Sequence, residues 1–521
     1  MFLTAEATPA SARTRWRALG WALPLLAVVL AACVRLPHLG RHGYDLDEAW
    51  TAEVSRGAGS PHATLPTDRL LSPAPNLTRL TADAPPFWHV WTHLAITQPP
   101  LYQVLLRLWQ DVVGTGDGRE RAFSLVASVA AVLVLHDAVR LRSGRWPAFW
   151  AAALMAASVP QVEYARLTRP YALLTLLALA MADAATRIEV LGPTRRRGLA
   201  LAGTTAATLL SHYFAVAPVA AVALYAALCL GGRARRVTLL SVGIGAAVFA
   251  AAWLPWVPGQ LYLFKGDDVG TDFLRHDLPH HGWHTLLRVA LMPVTMLFTP
   301  TRSSEPFAAA GAVLYALPLL FGRRPSGLSF WGIWLCSTVG LLAALDLSRG
   351  TTHLAFVRYA LLAGPAVFAI LPTVLAAATR GSRAGLGWAA HAVPAAAVVA
   401  ALAALPYDAF SPERADPHEL AETIVPRLSA DDLLVFATPP RNLQFAGGLY
   451  LMADRYLGPL PCPIVVLTAP ATPAVVRRID ASRQAWLITD VGDARPYLPG
   501  VHVRGGELFP GIGMLWHLAK S

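Results

Sequence analysis

Two short charged segments in this sequence have residue types and spacing that could do chemistry. The first is His42-Gly43-Tyr44-Asp45-Leu46-Asp47-Glu48-Ala49-Trp50, three carboxylates within four positions. A carboxylate held there could take a proton from an attacking hydroxyl as a general base, while a neighbour holds that hydroxyl's owner or a divalent cation. The plain alternative is a solvated acidic turn. The second is Tyr164-Ala165-Arg166-Leu167-Thr168-Arg169-Pro170-Tyr171. Its two arginines suit a phosphate, which guanidinium groups grip through charge-assisted, paired hydrogen bonds; the alternative is an ion pair with Glu163. Arg358-Tyr359 offers a third cation that either meets the same anion or reaches toward lipid headgroups. His212-Tyr213 reads as an interface anchor or a support for the site. Lys265, with Asp267 and Asp268, either serves a donor phosphate or metal or is solvated loop charge. His280, His281 and His284 lack ligand spacing for a metal.

The elements that must position these residues are membrane spans. Hydrophobic residues make up 55% of the 521 positions and charged residues 14%, against about 25% charged in an average soluble domain. Disorder is excluded by the apolar content. The net charge of +11 is too dispersed among apolar runs to follow a phosphate backbone, which argues against nucleic acid. Eleven stretches approach the about 20 apolar residues that cross a bilayer: 17–36, 121–141, 146–162, 170–188, 198–213, 214–231, 237–257, 306–322, 328–347, 357–378 and 386–405. Two shorter ones, 99–113 and 283–299, read as interfacial or re-entrant. With that choice the clusters at Arg13 to Arg17, Arg140 to Arg145, Arg187 to Arg197, Arg233 to Arg236, Arg323-Arg324 and Arg380 to Arg383 all fall on one side, the cytoplasmic side by the excess of Lys and Arg in cytoplasmic loops. The expectation is a multi-pass membrane protein with a cytoplasmic N-terminus, the first span retained as an anchor. Arg166 and Arg169 then lie on the outer side, where arginine needs a partner. Cys33, Cys229, Cys336 and Cys462 show no ligand or disulfide pattern.

Two domains follow. Residues 1–405 form the transmembrane domain, with outer loops at 37–119 and 258–305. Residues 406–521 form a small extracytoplasmic α/β domain, with helices expected at 418–428, 442–453 and 473–481 and strands at 432–437, 463–468 and 485–490.

Taken together, these motifs resemble the polyprenyl-phosphate-sugar-dependent glycosyltransferases of the GT-C fold, in the clan that holds protein O-mannosyltransferases and aminoarabinose transferases. Asp47-Glu48 stands where that clan has an acidic pair after its first span. Gln98-Pro99-Pro100-Leu101-Tyr102 matches its His-Pro-Pro-Leu-Tyr segment, 164–173 its Tyr-x-Arg-x-x-Arg-x-Tyr-Ala-Leu segment, and Arg358, Tyr359 and Pro365 its late Arg-Tyr span. The resemblance covers roughly 17–405. It implies a membrane glycosyltransferase of a bacterial inner membrane that moves a sugar from a polyprenyl phosphate to an extracytoplasmic glycan, lipid or protein. Asp47 would be the base, with Asp45 as its substitute, and Glu48 would orient Asp47 or the acceptor. Arg166, Arg169, Arg358 and Lys265 would bind donor phosphate, and Tyr102, Tyr164, Tyr171, His212 and Tyr359 would serve the acceptor or support the site. A divalent cation is a further expectation of the acidic residues. Gln98 replaces the family's histidine, so a metal or acceptor role of that imidazole does not carry over. The 72–75 stretch is a Pro-rich addition. The rival readings are a transporter or flippase of envelope glycan precursors and a non-catalytic lipid-sugar-binding protein.

Overall fold

The protein is described from a computed structural model covering residues 10–37, 39–93, 98–260, 274, 281–298, 327–379, 387–405, 417–437, 447–468, 470–489, 497–499, 501–509 and 512–519. A helical bundle carries a mixed sheet at one end. Its helices are α1 (Ala10–Arg35), α2 (Leu46–Ser55), α3 (Leu101–Val113), α4 (Asp117–Ser143), α5 (Arg145–Ala157), α6 (Val159–Ala165), α7 (Tyr171–Leu191), α8 (Arg195–Leu209), α9 (Val216–Cys229), α10 (Gly232–Trp253), α11 (His281–Phe298), α12 (Leu328–Arg349), α13 (Gly364–Ala378) and α14 (Ala389–Ala404). Four described stretches are long and apolar enough to cross a membrane: Asp117–Ser143, Gly232–Trp256, Leu328–Arg349 and Val357–Ala378. Large apolar side chains such as Leu228, Leu240 and Val399 are exposed on the bundle surface, as lipid contact requires and water does not favour. The expected span at 306–322 lies outside the described residues.

Small residues let the helices approach closely, which is how bundles pack without a hydrophobic drive between them. On α5, Ala148, Ala151, Ala152, Ala156 and Ala157 are all fully buried at the bundle centre. A Cβ on Gly245 of α10 would meet the Ala202 carbonyl of α8 at 2.5 Å.

The expected single span 146–162 is instead two helices. Pro160 has no N–H for the Ala156 carbonyl four residues back, and its ring would crowd that carbonyl in a continuous helix, so α5 ends and Ser158, with ψ 122°, caps α6, where Pro160 takes a first-turn position. The two short apolar stretches also have their own shapes. With its 13 residues, α3 is too short to cross a bilayer. As for α11, Gly282 lies beside Leu347 near the end of α12, and the Met296 carbonyl accepts from Ser158 Oγ at 2.6 Å, beyond the end of α5. Both ends of α11 thus lie in the half of the bundle nearer the sheet.

The sheet has the order β1-β3-β2-β4-β6-β5, from β1 (Leu70–Leu71), β2 (Leu433–Ala437), β3 (Ile464–Leu467), β4 (Ala485–Thr489), β5 (His502–Phe509) and β6 (Gly513–Ala519). Strands β3, β2 and β4 are parallel and buried on both faces, hence their uninterrupted apolar runs. One face packs on α15 (Pro417–Ile424), α16 (Gly448–Leu457) and the inner side of α2, through Leu434, Phe436, Leu420, Leu451, Ala49 and Ala52. The other covers Val475 and Ile479 of α17 (Pro473–Ala481). The expected strands and helices of the tail are present where described. The sheet also takes β1 from the segment between α2 and α3, antiparallel to β3, and ends in the β5–β6 hairpin. Asp454 on α16 fastens the same segment, its Oδ2 accepting from Leu77 N, Thr78 N and Thr78 Oγ1, each at 2.9 Å.

Candidate active site

Asp45 caps α2: its Oδ1 accepts the Glu48 amide at 2.8 Å, as an Asp at an N-cap does. The helix then points Asp47 and Glu48 to different neighbours. Asp47 is 39% exposed at its side chain and lies between two guanidinium groups: Arg358 Nη1 donates to its Oδ2 at 3.0 Å, and Arg169 Nη2 lies 3.6 Å away. Arg169 also donates through Nη1 to the Asp47 carbonyl at 2.9 Å and to Thr51 Oγ1 at 3.0 Å. Burial opposes the charge on Arg169, but Asp47 beside it keeps the guanidinium protonated above its ordinary range. Its Nε is buried with no partner. Residues 47, 169 and 358, far apart in the chain, therefore form one charged cluster.

Around the cluster stands an aromatic wall. Tyr359 lies 5.0 Å from the Arg358 guanidinium and 5.1 Å from Phe214, while Tyr171 meets Tyr164 at 5.2 Å and His212 at 5.9 Å. His212 is buried, and its Nδ1 accepts the Phe214 amide at 3.1 Å. The ring proton therefore belongs on Nε2, which has no partner and can donate to a ligand. The Asp45 carboxyl is pushed up to about 6, first by burial and then by the charges of Glu48 and Asp47.

Several expected site residues sit elsewhere. Glu48 is 1% exposed. Its Oε1 accepts from Arg121 Nε at 2.9 Å and from the Thr168 amide at 2.7 Å, and its Oε2 from Arg121 Nη2 at 2.6 Å. With its oxygens engaged this way, Glu48 ties α2 to α4 and to the arginine loop instead of facing an acceptor. Arg166 does not face the Asp47 cluster with its guanidinium. It donates to the carbonyls of Val34 and Arg35 at the end of α1, where helix carbonyls lack partners and a cation is favoured. Tyr102 is buried too, its hydroxyl 2.9 Å from Ser124 Oγ, which reaches the Arg169 carbonyl at 3.4 Å; it supports Arg169 from behind. Lys265 lies outside the described residues. Among the described residues no three His, Cys, Asp or Glu side chains form a group that could hold a metal.

The sequence reading missed the supports. Arg121 also donates to the carbonyls of Leu39, His42 and Gly43, shaping the turn before α2. The Tyr44 hydroxyl meets Glu120 Oε2 at 2.9 Å and Thr168 Oγ1 at 2.7 Å. Arg455 of α16 bonds Asp117 at 2.7 Å and Glu120 at 3.0 Å and lies over the Tyr44 ring at 4.2 Å, locking the sheet domain to the site. The available signal was Asp117, Glu120 and Arg121 at the head of an apolar span, where charge needs a purpose.

No protein-family model matches the sequence, and no curated protein matches it. Solved structures do resemble the fold. ArnT from Cupriavidus metallidurans in the apo state superposes with a TM-score of 0.55 at 14% identity, over 97% of this chain and 98% of that one. The same protein bound to undecaprenyl phosphate gives 0.53, also at 14% identity with 97% and 98% covered. The likeness runs through the bundle and the sheet domain alike, and this chain has the GT-C fold.

Proposed function

We propose that this protein is a membrane glycosyltransferase that moves a sugar from a polyprenyl phosphate to a hydroxyl of an extracytoplasmic acceptor. The observation that carries the reading is the convergence of one half-exposed carboxylate, Asp47, with Arg169 and Arg358. Asp47 takes the proton of the acceptor hydroxyl as its oxygen bonds the anomeric carbon. The bond from that carbon to the phosphate oxygen breaks, and the two guanidinium groups receive the charge that grows on the departing polyprenyl phosphate. Attack opposite the leaving group inverts the anomeric centre. Arg169 Nε and His212 Nε2, both lacking partners, add donors for the same anion.

A place for the lipid supports the reading. Helices α9, α11, α12 and α13 border a laterally open cavity of about 1080 Å³ lined by Leu224, Leu297, Ile333, Leu341, Ile370 and Leu371, which Val216 brings up to the turn bearing Phe214. ArnT was solved with undecaprenyl phosphate bound, a ligand of the class proposed here. The sheet and the Asp47 cluster occupy one end of the bundle, while Arg140, Arg142 and Arg187 pair with Asp137, Glu189 and Asp183 at the other. Arg145, Arg195 to Arg197 and Arg233, Arg235 and Arg236 stand at the same end of the helices, and this excess of arginine supports a cytoplasmic assignment for it and an extracytoplasmic one for the site.

The test is transfer of a radiolabelled sugar from its polyprenyl phosphate by the purified protein. Asp47→Asn should lower the rate by about 10²–10⁴-fold. Undiminished transfer by that variant would remove Asp47 from the role.

A further inference from the structure

We infer that the sheet domain carries a saccharide-binding pocket of its own, apart from the Asp47 cluster. Trp486 of β4 and His517 of β6 are directly opposed across the sheet, so both project from one face. Their rings meet edge to face with centroids 4.8 Å apart. The Arg427 guanidinium lies over the indole at 5.9 Å. These residues line an open cavity of about 840 Å³ together with Ser429, Asp431 and Gln484. The indole packs on the sheet core along one side and is partly exposed to the cavity on the other.

The rim is built by a buried group. Asp432 is fully buried, yet its oxygens are used entirely on the pocket wall. They accept from Arg483 Nε at 3.0 Å and Nη2 at 2.7 Å, from the Ser429 amide at 2.7 Å and from the Gln484 amide at 3.0 Å. Arg483 also donates to the Arg427 carbonyl at 3.1 Å, and its side chain remains 50% exposed. A carboxylate desolvated to this degree holds a surface guanidinium in one orientation, which lowers the ordering cost of binding.

The chemistry of the lining selects the ligand. A sugar ring has an apolar C–H face and a rim of hydroxyls; the pocket opposes an indole with an amide, a carboxylate, a hydroxyl and guanidinium groups. A phosphate-rich ligand fits less well, since Asp432 neutralises Arg483 and Asp431 offsets Arg427. A single-stranded nucleic acid needs a run of aromatic platforms along a basic groove, and here one indole stands alone. The pocket thus takes a neutral saccharide segment. On the glycosyltransfer reading, on which this assignment of purpose rests, that segment is a distal part of a glycan acceptor.

The full-length protein in detergent, titrated separately with arabino-, manno-, gluco- and galacto-hexasaccharides, tests this by calorimetry and saturation-transfer NMR. One of them should bind the wild type, and Trp486→Ala should bind it at least about tenfold more weakly, a loss typical of a truncated aromatic anchor. Trp486 also packs on the sheet core, so Arg427→Ala, at an exposed position, serves as the second variant and should weaken binding severalfold with the melting temperature unchanged. Asp47→Asn should bind the same hexasaccharide as tightly as wild type, which separates failure of this site from failure of the transfer reading. In a transfer assay with a glycan acceptor, Arg427→Ala should raise the acceptor KM and leave kcat alone. Absence of binding by the wild type to all four saccharides overturns the proposal, as does binding unaltered in both variants.

Discussion

Neighbouring carboxylates Asp47 and Glu48 should fail in opposite ways when neutralised. Glu48 accepts three hydrogen bonds at 2.6 to 2.9 Å inside a site where both it and Arg121 are 1% exposed. Glu48→Ala leaves the Arg121 charge buried without its ion-pair partner, held by backbone carbonyls and the Tyr44 ring, a loss of about 3–5 kcal/mol for a broken buried pair. Glu48→Gln keeps the shape and one acceptor oxygen, so its cost is nearer about 1.5–3 kcal/mol, the range of a hydrogen bond to a charged group. Asp47, by contrast, is 39% exposed at its side chain and meets Arg358 at 3.0 Å. The pair with Arg358 is partly open to water and worth about 0–1 kcal/mol, and the buried Arg169 keeps its bonds to the Asp47 carbonyl and Thr51 Oγ1, so Asp47→Asn, which retains an amide oxygen toward both guanidinium groups, should melt close to wild type. Thermal unfolding in detergent and transfer rates well below the transition should be measured on the same preparations. The expected pattern is lowered melting with transfer within about tenfold of wild type for Glu48→Gln, a barrier change under about 1.4 kcal/mol, and normal melting with lost transfer for Asp47→Asn. Glu48→Gln that melts like wild type and does not transfer would refute the argument, because it would make Glu48 the chemical group and its ion pair incidental.

Other perturbations test separate parts. In the folded protein the Asp45 carboxyl titrates near about 6, against 3.8 ordinarily; the folded state therefore holds that proton more tightly than the unfolded chain. Its contribution to stability is complete below pH 3.8 and is lost as pH rises through about 6. Asp45→Asn retains a capping oxygen, and its melting temperature should lack that decline; parallel wild-type and mutant pH profiles would count against the assignment. Arg166→Met should destabilise by about 1–3 kcal/mol, from carbonyls of α1 left unsatisfied, with the donor KM unaltered; a raised KM at normal melting would return Arg166 to the phosphate site. Gly245→Leu should destabilise by at least about 1–3 kcal/mol through overpacking, whereas Gly243→Leu, where a Cβ meets nothing within 4 Å, should be tolerated. Equal melting of the two would contradict the close contact of α10 with α8.

Much of this architecture is legible in one sequence because a membrane constrains it. Apolar length marks spans and misplaced arginine marks a site; Asp47, Arg169 and Arg358 each stand out before their convergence is known. The choice between Arg166 and Arg169 is not legible. They are three residues apart in the same motif, and only the turn after Ala165 decides that one falls back on α1 while the other reaches Asp47. Adjacent acids are separated in the same way: a helix turns each residue about 100° from the next, so Asp47 faces the arginines and Glu48 faces α4. Strands β2, β3 and β4 announce themselves as apolar runs. Strand β5 does not, since Arg504-Gly505-Gly506-Glu507 is mostly exposed and Gly506 faces the Trp516 ring. Two residues of β1 are too few for any periodicity. The break before α6 was open to reading in Pro160, but the apolar content around it looked continuous.

Strand β1 has a consequence for the order in which the molecule can be assembled. Leu70 emerges long before its partner Val465, and a similar delay separates Tyr44 from Arg455 and Leu77 from Asp454. Contacts so distant in sequence form late, after the loop between them has closed. The acidic helix therefore waits, with its apolar underside uncovered, until the whole bundle has been inserted and the last strands have been made. Completion of the Asp47 cluster is thereby tied to folding of the sheet domain, and a chain that lacks α16 loses the Arg455 and Asp454 contacts that hold the α2 segment in place.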